Sequence, residues 1–334
     1  MRSLASKLFR VVVALVVVAS GAWAHAAGFQ RGYAADPDGK PLEIGIWYPS
    51  SAAVDVVAMG PTAMTVAVNG PVRGEGLPLV VISHGHGGYF LSHFDTAIAL
   101  ADAGFVVAAV THAGDNYADQ SRSTDVMDRP RQISRVLDHM LSVWDGHDLI
   151  DPARIGMFGF SSGGFTTLAS IGGVPDLARI GPTCAQHPGD YACRLVARVR
   201  GNDAAPSAAR TTGVADSRIR AAVVVAPALG FTFGTEGLEN VKVPVQLWRA
   251  ENDVIVPHPR YAEAVRLALP QAPDYRVVPN AGHFDFLAPC SSALAVVAPA
   301  ICASAAGFDR TSFHAGFNEA VVAFFGNVTA EAGR

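Results

Sequence analysis

The chain has 334 residues, 50% of them apolar and 16% charged, with a formal net charge of −4. That apolar share supplies a large buried core and excludes a disordered chain; without a basic tract, nucleic acid is excluded as a partner. Arg2, Lys7 and Arg10 precede an unbroken apolar run over 11–19, followed by small residues with A-x-A spacing at Ala22/Ala24 and Ala24/Ala26, so 1–26 reads as a signal peptide. The run is shorter than the ~20 residues of a membrane-spanning helix, and no cysteine stands at the cut to carry a lipid. The expectation is an exported protein, periplasmic or secreted, with no stable membrane anchor after cleavage and one domain over 27–334.

Next in chain order, the turn D-P-D-G-K at 36–40 leads into 42–48, where apolar and polar residues alternate as in an edge or antiparallel strand. Residues 77–82 form a continuous β-branched run, as in a strand buried on both faces. This run ends in S-H-G-H-G-G at 83–88, and a helical stretch over 91–103 and a second buried strand over 105–111 follow. Over 129–144, Ile133, Val136, Leu137, Met140, Leu141 and Trp144 line one helical face, with Asp128 and Pro130 as start signals. Further strands are expected over 155–160, 219–225, 243–248 and 275–278, and further helices from 165 to 171, 261 to 269 and 313 to 325. Strands alternating with helices define an α/β class with a mostly parallel sheet flanked by helices. The stretch 172–218 breaks the rhythm and is too long for an ordinary connection, so it is expected to be a cap-like insertion after the helix that begins near 165. The four cysteines allow three pairings; proximity favours Cys184 with Cys193 and Cys290 with Cys302 as structural disulfides in an oxidising compartment.

Gly159-Phe160-Ser161-Ser162-Gly163 fits G-x-S-x-G between a buried strand and a helix, the setting of a nucleophile elbow, and makes Ser161 the candidate nucleophile. A serine hydroxyl needs an adjacent base. Among 11 histidines, His283 follows the last strand at the expected place in the order, whereas His314 is expected to face solvent at the start of the final helix. Asp253, in the segment after the 243–248 strand, completes the order serine, acid, histidine, with Glu251 and Asp285 as alternatives. The backbone N–H groups of Ser162 and His86 are the expected oxyanion donors. His84 and His86 lack a third metal ligand nearby, so neither a metal nor a cofactor is expected. Tyr89, Phe160 and Phe284 are expected to line an apolar substrate pocket, with His112 and Asp115 in its wall.

At these residues the chain resembles the α/β-hydrolase superfamily, and within it the bacterial branch called predicted dienelactone hydrolases, which is similar to plasma-type platelet-activating-factor acetylhydrolases. The resemblance runs through I-W-Y-P at 46–49, S-H-G-H-G-G at 83–88, R-P-R-Q-I-S-R-V-L-D at 129–138, G-F-S-S-G-G at 159–164 and A-G-H at 281–283. It implies the α/β-hydrolase fold and a serine hydrolase cleaving a small-molecule carboxylic ester through an acyl-enzyme. Two positions depart from the pattern. Dienelactone hydrolases proper carry a cysteine where Ser161 stands, and the acetylhydrolases place the acid one strand earlier, where this chain has Val225-Ala226-Pro227-Ala228. The same constellation serves amides, and a hydrolase fold can also serve as a binding protein; a full triad with both oxyanion elements favours catalysis.

Overall fold

The computed structural model describes residues 26–200 and 214–332, so the expected signal peptide, save Ala26, lies outside the described residues. Ten strands form one sheet: β1 (Ala26–Ala34), β2 (Leu42–Ser50), β3 (Asp55–Met59), β4 (Thr62–Val68), β5 (Leu77–Ser83), β6 (Val106–Val110), β7 (Ile150–Phe160), β8 (Ile219–Val225), β9 (Val245–Ala250) and β10 (Asp274–Val278). Their order is β10-β9-β8-β7-β5-β6-β2-β1-β4-β3. The strands from β6 through β5 and β7 to β10 run parallel to one another. Every residue of β5 and β6 is buried, as continuous apolar runs require when helices cover both faces.

The helices are α1 (Phe94–Asp102), α2 (Asp128–Ser142), α3 (Ser162–Ser170), α4 (Ile180–Gln186), α5 (Tyr191–Arg200), α6 (Thr235–Leu238), α7 (Ala262–Ala268), α8 (Ser292–Val297), α9 (Pro299–Cys302) and α10 (Arg310–Ala332). The α2 face expected from sequence buries Ile133, Val136, Leu137 and Met140 at helical spacing, each worth about 1.5–3 kcal/mol on leaving water. α1 packs with α10 and α2 with α3. Phe317, Val321 and Phe325 of α10 are buried in the core, the Phe317 ring meeting Phe158 and Trp248 at 6.2 and 4.9 Å.

This order places the site. From β5 the chain crosses to β6 on one side; from β7 it crosses to β8 on the other. The segments after β5 and β7 therefore diverge at a switch point, where a crevice opens beyond the carboxyl ends of the strands. Ser83 and Gly159 are register partners there.

Several elements differ from the sequence expectation. β2 is antiparallel but interior, lying between β1 and β6. β1 was not expected: its alternation is broken by glycines and it abuts the targeting segment. The β3–β4 hairpin was missed because β3 is largely exposed and lacks an apolar run. The stretch after α3 contains α4 and α5, bridged by Cys184–Cys193, before the chain passes outside the described residues at 201–213. Cys290–Cys302 bridges the segment containing α8 and α9. Among the described residues, no helix is long and apolar enough to cross a membrane.

Candidate active site

Ser161 stands between β7 and α3 with φ +55°, a left-handed conformation that costs a non-glycine residue of order 1–3 kcal/mol. Its backbone is held from both sides: the N–H donates to the Val225 carbonyl (2.9 Å), and the carbonyl accepts from Ala228 N–H (2.9 Å) and Phe165 N–H (3.1 Å). The two glycines of the motif make room for this turn. A Cβ at Gly159 would stand 2.1 Å from the Gly163 carbonyl oxygen, and one at Gly163 would stand 1.9 Å from that of Ser83. The elbow is thus wedged onto the end of β5, a contact only hydrogen side chains permit.

His283 lies in a short turn after β10 and Asp253 in the segment after β9. The two segments are joined by Glu251 N–H to Val278 C=O (3.0 Å) and Asn252 N–H to Ala281 C=O (2.9 Å). Asp253 Oδ1 accepts from the N–H groups of Ile255 (2.9 Å) and Val256 (2.8 Å), and Oδ2 lies 2.8 Å from His283 Nδ1. An ionised carboxylate only accepts, so His283 Nδ1 carries the hydrogen and Nε2 is left to accept from the Ser161 hydroxyl at 3.0 Å. Ser161, His283 and Asp253 are all buried. The structure brings these three into one hydrogen-bonded row. The alternatives stand elsewhere: Glu251 accepts from Asn280 N–H (2.8 Å), and Asp285 accepts from Gly282 N–H (2.8 Å) and pairs with Arg310.

His314 is not at the surface, contrary to the sequence expectation. It is 2% exposed, its Nδ1 2.6 Å from Asp95 Oδ2 and its Nε2 2.9 Å from the Asp285 carbonyl. The helix face at 314 turns toward α1 rather than solvent, and His314 anchors the turn that carries His283.

Ser162 opens α3, so no preceding helical carbonyl is available to its N–H. His86 lies in the loop after β5, which is braced from behind. Its Nδ1 donates to Asp115 Oδ1 (2.6 Å), as does Gly87 N–H (3.1 Å). Arg129, on the buried face of α2, gives Nη1 to Asp115 Oδ2 (3.0 Å) and Nη2 to the His84 carbonyl. Burial alone would raise the Asp115 carboxyl; the Arg129 charge and the His86 hydrogen bond outweigh it and hold it below the usual carboxylate range. His84 Nδ1 donates to the Gly85 carbonyl (2.6 Å) and Nε2 accepts from His112 N–H (3.0 Å). Thus His112 and Asp115 are not pocket wall as expected. Both are buried behind the loop, where they partner its polar groups. Arg129 and Gln132, whose Oε1 accepts from His112 Nδ1 (2.9 Å), escaped the sequence reading: polar residues on an apolar helix face were the available signal.

Replacing Arg129 with methionine is expected to destabilise the fold by about 3–5 kcal/mol, because the buried Asp115 loses its cation. Urea unfolding of Arg129→Met beside Arg129→Lys checks this; a loss under 1 kcal/mol for the methionine variant would refute the bracing role.

Two cavities meet at Ser161. The larger, ≈ 1000 Å³, is lined by Tyr89, Phe160, His283, Phe284, Leu287 and Leu294, among others. Phe160 lies beneath the His283 ring, centroids 4.8 Å apart. The smaller, ≈ 270 Å³, lies against α3, α4 and α5, with Phe165, Ile180, Leu195 and Val196 in its wall. Tyr191 of α5 borders both; nothing in the insertion's irregular composition marked it.

A ten-stranded, mostly parallel sheet with flanking helices and a serine elbow at its switch point defines an α/β-hydrolase. Residues 49–132 match the family described as platelet-activating factor acetylhydrolase, isoform II, so the chain is a superfamily member resembling those acetylhydrolases. The matched segment holds the loop after β5 and its Asp115–Arg129 brace but not Ser161, Asp253 or His283. A ferulic acid esterase from Streptomyces cinnamoneus has the same fold, with a TM-score of 0.61 at 19% identity over 94% of this chain and 92% of that one.

Proposed function

We propose that this protein is an exported carboxylic ester hydrolase of the serine type. The observation that carries the reading is the row Asp253–His283–Ser161, with hydrogen bonds of 2.8 and 3.0 Å and a tautomer that leaves Nε2 basic toward the hydroxyl. Ser161 Oγ bonds to the ester carbonyl carbon as its proton passes to His283 Nε2; the carbonyl oxygen becomes an oxyanion facing the N–H groups of His86 and Ser162. The C–O bond breaks, and His283 returns the proton to the departing alcohol. Water then repeats the sequence on the acyl-enzyme, releasing the acid and Ser161. Asp253 orients the imidazole and stabilises its cation. The likeness to an acetylhydrolase family and to a ferulic acid esterase supports ester rather than amide bonds.

The stretch 172–218 acts as a cap on a single domain over 27–334, a reading supported by the place of α4 and α5 beside the smaller cavity. Two disulfides and the apolar leader support export. The test is turnover of p-nitrophenyl esters from acetate to palmitate by the purified protein, with matched p-nitroanilides. Ester turnover is expected; anilide cleavage alone would replace the reading by an amidase, and neither would favour a binding protein.

A further inference from the structure

We infer that Ser123 is a hydrogen-bonding subsite of the smaller cavity and takes a neutral hydroxyl of the bound substrate. The substrate class is then an ester with one compact, largely apolar half that ends in a hydroxyl group. The inference rests on the ester-hydrolase reading and deepens it.

Ser123 lies between β6 and α2 and is 5% exposed, and its hydroxyl has no hydrogen-bond partner. Of the buried polar side-chain groups left unpartnered among the described residues, it alone borders a cavity that reaches Ser161. Such a group has lost water on folding and gained no partner in exchange, so it lowers stability until something else pairs with it. Its backbone is fixed. Arg122 N–H donates to the Gly114 carbonyl (2.8 Å), Ser123 N–H to that of Gln120 (3.2 Å), and Asp125 N–H to that of Arg122 (2.9 Å). The hydroxyl is therefore held at a set place in the wall.

The rest of the wall defines the ligand. Ser161 and Ser162 line the same cavity, so what fills it belongs to the substrate attacked at Ser161. Phe165, Ile180, Leu195 and Val196 present apolar surface, and at ≈ 270 Å³ the space is compact beside the ~300–1,000 Å³ usual for small-molecule pockets. The polar end is the segment of Ser123 itself, with Thr124, Asp125 and Asp128. Its carboxylates are engaged. Asp128 Oδ1 accepts from Arg131 Nε (2.9 Å) and Oδ2 from Gln132 Nε2 (2.7 Å). Arg122 stands 2.9 Å from Asp128 and 3.8 Å from Asp125. These arginines offset the negative charge that would draw a cation, and no lysine or arginine lines the cavity to receive an anion. What the polar end leaves open is the Ser123 hydroxyl, a neutral donor and acceptor that a ligand hydroxyl matches in both senses.

The experiment compares kcat/KM for substrate pairs that differ only in a terminal hydroxyl or methyl, over lengthening chains. One set is p-nitrophenyl esters of ω-hydroxy acids beside those of alkanoic acids. The other is diol monoacetates beside alkyl acetates, so the hydroxyl is offered on either half of the ester. At the best-fitting length the wild type is expected to favour hydroxyl over methyl by about tenfold, the effect of one hydrogen bond that otherwise stays unmade. Ser123→Ala is expected to abolish that preference, and Ser123→Thr, which keeps the hydroxyl, to retain it. The alanine variant should also hold or raise the urea midpoint of the free enzyme, because it removes an unpartnered polar group. A lower midpoint would give the hydroxyl a structural partner and overturn the subsite. So would a preference that survives Ser123→Ala, or a wild type that cleaves acetate esters without distinguishing hydroxyl from methyl at any length; each of these leaves the esterase reading standing. A wild type that cleaves no ester removes both.

Discussion

Replacing Asp253 with asparagine is expected to lower kcat on p-nitrophenyl acetate by about 10⁴, short of the ~10⁶ that Ser161→Ala removes, with little change in stability. The reason lies in the two N–H groups on the far side of the carboxylate. Ile255 and Val256 donate to Oδ1 at 2.9 and 2.8 Å, so an asparagine there turns its carbonyl oxygen toward them and its NH₂ toward His283. The imidazole then accepts at Nδ1 and carries its hydrogen on Nε2, where it faces the Ser161 hydroxyl as a donor. All three side chains stay in place and the base is gone. Steady-state kinetics with urea unfolding separates the two effects. An Asp253→Asn enzyme retaining more than a tenth of wild-type kcat would mean that Asp253 does not set the tautomer, and Asp285, the nearest rival in sequence, would come next.

The parallel half of the fold was legible because its strands are continuous apolar runs and α2 keeps a strict apolar face. Ser161 was legible for a related reason: the turn needs glycines on both sides, and Gly159 and Gly163 meet neighbouring atoms within 2.1 and 1.9 Å of where a Cβ would stand, so the geometry writes itself into the motif. Asp253 was reached through order alone, because the acid's partners, Ile255, Val256 and His283, are defined only after β9 and β10 are paired. The brace behind the His86 loop was not legible. Asp115 and Arg129 are 14 residues apart and His84 lies 45 residues before Arg129, so three segments must pack before their charges meet. His314 misled for the same reason: a histidine in the first turn of a helix reads as exposed until α1 supplies Asp95. The strands β1, β3 and β4 are stabilised by pairing with neighbours rather than by a pattern of their own.

Acidification from pH 7.5 to 5 is expected to remove several kcal/mol of stability, before most carboxylates titrate. His84, His93 and His112 are almost fully buried. Burial, with the Arg129 charge beside it, pushes His84 down to about 3; burial pushes His93 down to about 4; burial and the same arginine hold His112 well below the ordinary histidine value. In the unfolded chain all three titrate near ~6.5. Below that pH the unfolded state binds protons that the folded state refuses, so the stabilisation is complete above about pH 6.5 and is lost as pH falls toward the folded values. Each histidine contributes a slope of up to about 1.4 kcal/mol per pH unit, and three together draw on a total of only ~5–15 kcal/mol for a typical protein. The urea midpoint measured at half-unit intervals should therefore drop steeply below pH 6. His93→Leu, outside the hydrogen-bonded row, should reduce the slope by about a third. A midpoint that stays flat from pH 7.5 to 5 would show that these rings take up protons without unfolding the protein. Because His84 and His112 brace the loop that carries His86, the acid transition should carry esterase activity down with it, and not recover it short of refolding.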